Sequence, residues 1–493
     1  MFFHVCPLAF LGHRIRSHTQ QKEADGADEG VVMGELINEG AALDPLTGSL
    51  REYRDPRGPD LLKRVEDFYA WQNLRRRYGY WPYSKSTDEA PQAVCAAKDD
   101  AGRGFWGVNF ASQDYLSLAS HPAIKEAAKE AVDDYGVHSA GSAAFLGNTR
   151  YSLQLQRAIS DFLQLEQTVL YPTGWAAGYG VIRGLVRADD HVVIDGLAHN
   201  CLQDGAFTAT RNVHLHGHLN LQSARRHLKR IRARDKENAV LVVTEALFSM
   251  DSDTPDLAAM QELCREYNAT LLVDVAHDLG NIGEDGRGHI GLQQMTGKLD
   301  IVMGSFSKTF ASNGGFVACN SPAVREYLRY FGSSGTFSNA LSPIQSAIVL
   351  KAFEIVRSEE GRRLRGELMK NILYLREQLK AAGLEVIGDP SAIVSAKVGD
   401  EGLARLVSQR LPRLGAIVNL VEFPAVAKGS ARFRLQVMAK HTKDHIDRLM
   451  VAIRAAIDSA QRSPRYYRTL IPSEESAILT AASVPMRAHA VGE

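Results

Sequence analysis

Apolar positions along the chain recur with two periods that alternate from residue 121 onward. After His121-Pro122, where proline suits a first helical turn, Ile124, Ala127, Ala131, Val132 and Tyr135 repeat at helical spacing until Gly136. Short apolar runs at 168–171, 191–194, 239–244, 270–273 and 301–303 read as strands, with helical stretches between most of them. Such alternation predicts an α/β domain over residues 111–343, a mainly parallel sheet covered by helices. From Pro343 the pattern changes to a helix from 344 to about 358, another to Ala382, and strands near 385–387 and 431–437. That order predicts a smaller C-terminal α+β domain over 344–461, with a loose tail over 462–493.

Upstream, Leu61, Leu62, Val65, Phe68, Tyr69 and Trp71 fit an amphipathic helix, followed by the aromatic cluster Tyr78, Tyr80, Trp81 and Tyr83. Residues 61–110 therefore predict a helical arm packed on the body or on a second subunit. Residues 1–60, rich in Gly, Asp, Glu and Arg without sustained periodicity, read as a mobile or partner-dependent extension.

Composition narrows the function classes. Lys plus Arg and Asp plus Glu balance at 57 each among 493 residues, so no global field attracts nucleic acid or an anionic membrane. Five scattered cysteines without CxxC spacing point to a reducing compartment, the cytoplasm, and to no zinc site. The apolar start, residues 2–12, is too short to span a bilayer, and its basic residues follow the apolar stretch; membrane association is left open without being indicated.

One lysine, Lys308, follows an apolar run in Asp300-Ile-Val-Met-Gly-Ser-Phe-Ser-Lys308 and precedes a Gly-rich turn. A lysine at a strand end can lose solvation and proton affinity, which suits an imine with a carbonyl cofactor. Ser305-Phe-Ser-Lys308 also fits the Ser-x-x-Lys pattern of penicillin-binding serine enzymes, but the accompanying Lys-Thr-Gly element is missing, since Lys308-Thr-Phe310 is not one. Upstream by 34 residues, Thr270-Leu-Leu-Val-Asp-Val-Ala-His277 delivers Asp274 and His277 at the end of a buried strand. An acid facing a pyridinium nitrogen and a lysine imine are the two groups that pyridoxal phosphate chemistry requires. Thr173-Gly174-Trp175, after a strand and opening a helix, can aim backbone amides at a phosphate.

These segments, with Asn109-Phe-Ala-Ser-Gln-Asp-Tyr-Leu116, Tyr171-Pro-Thr-Gly-Trp-Ala-Ala177, Asp195-Gly-Leu-Ala-His199, Glu245-Ala-Leu-Phe-Ser-Met-Asp251, Gly283-Glu-Asp-Gly-Arg-Gly288 and Ala431-Arg-Phe-Arg434, resemble the α-oxoamine synthases. This is the pyridoxal phosphate family of serine palmitoyltransferase, 8-amino-7-oxononanoate synthase, 5-aminolevulinate synthase and glycine C-acetyltransferase. The likeness runs over roughly residues 105–455. It implies a fold-type I transferase that condenses an amino acid with an acyl thioester, on coenzyme A or an acyl carrier, with loss of carbon dioxide, and that works as a homodimer with shared active sites.

The resemblance gives Lys308 the imine linkage and the Cα proton, and Asp274 the pyridine nitrogen. It sets His277 near the phenolic oxygen and His199 over the ring face. Ser305 matches a phosphate-contacting hydroxyl, Ser338 one supplied across the dimer interface, and Arg434 the partner of the substrate carboxylate. Glu245 and Ser249 match active-site positions without a defined role. Gln113 stands where asparagine is usual near the substrate carboxylate, and Ser152 and Gln156 stand where His and Glu are usual. His214, His216 and His218 alternate like metal ligands but lack a nearby Cys or Asp set, so no metal is expected. An aminotransferase or aldolase on the same fold, or a non-catalytic partner subunit, is the competing reading.

Overall fold

The computed structural model describes residues 44–466. The arm opens with helix α1 (Glu66–Tyr78), which ends at Gly79, whose φ of 72° closes the last turn without a Cβ clash. Strands β1 (Ser86–Thr87), β2 (Val94–Lys98) and β3 (Gly104–Asn109) follow, the last two as an antiparallel hairpin.

The large domain then alternates α2 (Pro122–Tyr135), α3 (Arg150–Leu163), β4 (Gln167–Tyr171), α4 (Gly174–Leu185), β5 (His191–Asp195), α5 (Asn200–Ala209), β6 (Asn212–His216) and α6 (Leu221–Arg234). It continues with β7 (Val240–Glu245), α7 (Leu257–Glu266), β8 (Thr270–Asp274), the short α8 (Gly288–Leu292), β9 (Ile301–Ser305), β10 (Gly315–Cys319), α9 (Pro322–Phe331) and α10 (Ser333–Thr336). Its seven strands form one sheet in the order β4-β10-β9-β8-β7-β5-β6, parallel except for β10, which runs against both neighbours. Strand β7 is buried at every position, as expected of a sheet covered on both faces. Of the two larger core clusters, one fills the face under α4 and α5 and the other joins the opposite face to the rest of the described residues.

The remaining elements are α11 (Pro343–Arg357), α12 (Glu359–Ala381), β11 (Val386–Ile387), β12 (Ile393–Gly399), α13 (Glu401–Arg410), β13 (Ala416–Ile417), β14 (Asn419–Val421), β15 (Ala431–Gln436) and α14 (Lys443–Gln461). A second sheet runs β11-β12-β15-β14, and β13 pairs parallel to β3, which ties the arm to this part.

Three expectations meet a different structure. The arm is α-helical only over α1, preceded by a single 3-10 turn at Lys63–Val65; Leu61, Leu62 and Val65 lie ahead of α1 and stay exposed, while residues 94–109 form a hairpin whose alternation is too short to stand out beside the aromatic cluster. Residues 44–53, grouped by composition with the extension, are packed: Leu46 is buried, Tyr53 stacks on Trp71 at 5.0 Å, and Arg405 holds the carbonyls of Leu46 and Gly48. Helix α11, placed by its pattern in the small domain, packs mainly on α2 and α3. The rest of the expected extension, residues 1–43, and most of the expected tail lie outside the described residues.

Candidate active site

Glu245, Asp274 and Ser305 end β7, β8 and β9, three neighbouring parallel strands, and so emerge along one edge of the sheet. Open α/β sheets bind ligands at such carboxyl edges. Here the edge borders a cavity of about 230 Å³ lined by Thr173, Gly174, Trp175, His199, Glu245, Asp274, His277, Ser305 and Lys308. The same walls include Cys201, Ala276, Ser307 and Asn313. Lys308 lies in the turn between β9 and β10 and lines the same cavity as Asp274, which ends β8, the strand beside β9.

The electrostatics of this cavity are set by burial. Desolvation lowers the proton affinity of the Lys308 amine, with Arg434 acting in the same sense and Asp274 and Glu245 partly opposing it. Desolvation also raises the pKa of Asp274, against the pull of Lys308 and His199. Its Oδ1 accepts from the Ala276 amide at 2.8 Å, which fixes the carboxylate plane. Glu245 is raised well above the usual carboxylate range, first by burial and then by Asp274; its Oε1 accepts from the His199 amide at 2.6 Å.

Burial favours the neutral form of both histidines. His277 is buried and held well below its ordinary pKa by desolvation, then by Lys308 and Arg434. Its Nδ1 lies 3.0 Å from the Tyr115 hydroxyl, which also serves as acceptor for Arg434. With the Tyr115 proton directed to Nδ1, the Nε2–H of His277 is left as a donor. His199 caps α5, its Nδ1 accepting from the Cys201 amide at 3.3 Å and standing 3.1 Å from Cys201 Sγ; desolvation lowers its pKa too.

Opposite the acids, the first turn of α4 opens into the cavity. Thr173 caps it, with Oγ1 accepting from Ala176, and the free amides that begin a helix favour an anion. Gly174 belongs here for steric reasons: a Cβ would sit 2.3 Å from Cβ of Ser305. Ser305 and Ser307 share a hydroxyl contact at 2.8 Å on the same side. A helix N-terminus and hydroxyls at one end, a buried carboxylate at the other and a lysine between them fit pyridoxal phosphate, whose phosphate, ring nitrogen and aldehyde need those three kinds of group.

The other proposed site residues fall around this cavity. Arg434, on β15, is buried and donates from Nε to the Ser249 carbonyl at 2.6 Å; Ser249 thereby positions the guanidinium through its backbone. Gln113 lines an adjoining hollow with Lys308. Ser338 follows α10 and does not line the cavity of its own chain. Sequence reasoning missed Tyr115, Cys201 and Asn313. Tyr115 and Cys201 lay inside quoted or adjoining segments, but only folding shows that they touch the two histidines.

The departures have local explanations. Ser152 closes a capping box with Thr149 at the start of α3, and Gln156 accepts from Arg325 at 3.3 Å. The three alternating histidines part company: His214 meets His191 at 3.2 Å, His216 Nδ1 meets the Gly217 carbonyl at 2.9 Å, and His218 bridges Asp195 and Asp253 at 3.0 Å each. His218, Asp251 and Asp253 do bring ligand atoms within 4.8 Å of one another, but Asp251 pairs with Arg432.

This fold and this cavity define a fold-type I pyridoxal phosphate transferase. Residues 107–453 match the family described as aminotransferase class I and II. The serine palmitoyltransferase of Sphingobacterium spiritivorum is 35% identical over 338 residues, 69% of this chain and 83% of that protein. The 8-amino-7-oxononanoate synthase of Trichlorobacter lovleyi is 35% identical over 344 residues, 70% of this chain and 87% of that one. Among solved structures, a serine palmitoyltransferase with a pyridoxal phosphate internal aldimine superposes with a TM-score of 0.76 at 26% identity, over 82% of this chain and 99% of that one. The chain belongs to the α-oxoamine synthases of that aminotransferase family.

Proposed function

We propose that this protein catalyses the pyridoxal phosphate-dependent condensation of an amino acid with an acyl thioester, releasing the thiol and carbon dioxide and leaving an α-amino ketone. The observation that carries the reading is the placement of Lys308 beside Asp274 at adjoining strand ends in one cavity. When bound, pyridoxal phosphate supplies an electron sink for the pair left at the amino acid's Cα. Asp274 would pair with the ring nitrogen and keep it protonated. The α4 N-terminus and Ser305 would hold the phosphate, the Nε2–H of His277 would face the phenolic oxygen, and His199 would cover the ring. Lys308, with its proton affinity lowered, would anchor the cofactor and serve as the base that takes and returns the proton at Cα. Arg434 binds the substrate carboxylate, and Gln113 shapes the amino-acid pocket beside it.

The homodimer and its shared sites belong to this proposal: Ser338, with Phe337 87% exposed beside it, is free to serve the cavity of a second copy. So does a cytoplasmic location, supported by four buried cysteines that form no disulfide. Among the described residues no helix is long and apolar enough to cross a membrane.

The test is thiol release from a panel of acyl-coenzyme A thioesters with serine, alanine and glycine, with products read by mass spectrometry. Release coupled to an α-amino ketone supports the reading, and Lys308→Ala abolishes it. Transfer of the amino group to an oxo acid without thiol release would return the protein to the aminotransferases.

A further inference from the structure

A row of hollows that share bordering residues runs from Lys308 to the arm. The cofactor cavity shares Ser307, Lys308 and Asn313 with a hollow bordered by Ser112 and Gln113. Ser112 also borders a third hollow of about 450 Å³, polar along Ser86, Thr87 and Asn109 and apolar along Cys95, Ala97 and Ile417. Pro82 and Lys85 border both that hollow and a fourth, of about 380 Å³, at the end of α1. Strand β3 measures the last leg of the run, since Gly104 lines the fourth hollow and Asn109 the third. The five steps from Gly104 to Asn109 at ~3.3 Å each give about 16 Å between these two hollows.

The fourth hollow is basic and aromatic. Its cations are Arg77, Lys85, Arg103, Arg405 and Arg413, against the single carboxylate of Asp99, which is taken by Arg103 at 2.7 Å. Arg405 pairs with Glu422. Arg77 and Arg413 are exposed and make no ion pair with any described residue. The Lys85 ammonium is recessed, reaches only the carbonyls of Pro82 and Val418, and has its pKa pushed down to about 8 by desolvation, with Asp100 and Asp99 opposing. Behind it, Arg75 is fully buried with Nε and one terminal nitrogen unpartnered, and shares Glu422 with Arg405. One buried carboxylate thus answers two guanidinium groups, of which Arg405 lines the hollow, so the pocket keeps an excess of positive charge that suits an anion.

We infer that this arm pocket binds an anionic group at the far end of the thioester substrate, whose remainder lies along the row of hollows with its reacting carbonyl beside Lys308. The inference rests on the condensation reading above. A thioester carries such a group in two places, the phosphate of a pantetheine arm or a carboxylate ending the acyl chain, and the guanidinium forks and ammonium suit either.

The experiment compares four thioesters of one acyl length: coenzyme A and N-acetylcysteamine thioesters, each with a plain or an ω-carboxylic acyl chain. Arg413→Ala and Lys85→Met are each expected to raise KM about tenfold for the anion-bearing substrate, the size of one lost charge-assisted hydrogen bond. They leave kcat at saturation, and all constants for the neutral thioester, as in the parent. An effect confined to coenzyme A thioesters assigns the phosphate; one confined to ω-carboxylic chains assigns the carboxylate. Unchanged constants throughout, or equal losses with the neutral thioester, overturn the inference. If the parent releases no thiol from any of the four, the condensation reading fails, and binding of coenzyme A and of a free dicarboxylate, followed by Trp81 fluorescence, decides the pocket by itself. Binding lost in Arg413→Ala supports it, and equal or absent binding overturns it.

Discussion

Glu245 and Asp274 stand opposite one another in register on β7 and β8, both buried, where two charged carboxylates cannot both persist. Asp274 has Lys308 and His199 to favour its charge, whereas Glu245 has the Asp274 charge against it and an amide hydrogen bond that a neutral acid can also accept. Glu245 is therefore the protonated member. Glu245→Gln is expected to keep kcat/KM within about threefold, under ~1 kcal/mol. Asp274→Asn, which removes the charge facing the ring nitrogen, is expected to cost about 10²-fold or more. Steady-state thiol release with both variants decides it, and equal losses would reverse the assignment.

Gly174→Ala tests the phosphate cradle. The added methyl collides with Ser305 at a distance that atoms do not adopt, so either β9 or the first turn of α4 must move. Titration of the purified variant with pyridoxal phosphate, followed by visible absorbance, should show affinity lowered by at least tenfold. Undiminished affinity would place the phosphate elsewhere.

Stability should fall on the acid side through buried neutral histidines. His441 stacks on Phe110 at 4.0 Å, donates from Nε2 to the Asn109 carbonyl and accepts from the Met438 amide, and burial pushes its pKa down to about 3; His277 is lowered as well. A folded pKa below the unfolded value of about 6.5 gives stability that is complete above that value and lost as pH falls toward the folded one. Asp114, raised to about 6 by burial, acts in the opposite sense between its unfolded and folded values. Urea midpoints should thus drop from pH 7 to 4, and less steeply in His441→Gln.

The arm is held by a buried charge cluster. Glu422 receives Arg405 at 2.7 Å, Arg75 at 3.4 Å and the Tyr83 hydroxyl at 3.4 Å. Glu422→Ala leaves two guanidinium groups buried without a counter-charge and is expected to lose about 3–5 kcal/mol in chemical denaturation. A loss below ~1 kcal/mol would mean that water reaches the cluster.

Much was legible in the linear chain because it is written in local terms. Periodicity marked most of the central strands and the long helices to within a residue or two, since a strand buried on both faces must be an apolar run and a helix with one buried face must repeat at its own turn. Lys308, Asp274 and His277 were visible because each ends an apolar run or follows one within a few residues, where a polar residue is exposed to the ligand edge, and His199 through the likeness of the segment Asp195-Gly-Leu-Ala-His199 to the family. The strand β10 and the arm hairpin were not, being short apolar stretches that only pairing turns into sheet. What only the tertiary structure decided are relations between distant segments. The Tyr115 hydroxyl sets the tautomer of His277 across 162 residues, the Ser249 carbonyl holds Arg434, and residues 46–48 lie on Arg405 because buried carbonyls and guanidinium groups must find partners wherever the fold brings them. Sequence fixes which groups can react; packing removes their water, and that desolvation chooses which of them carry charge.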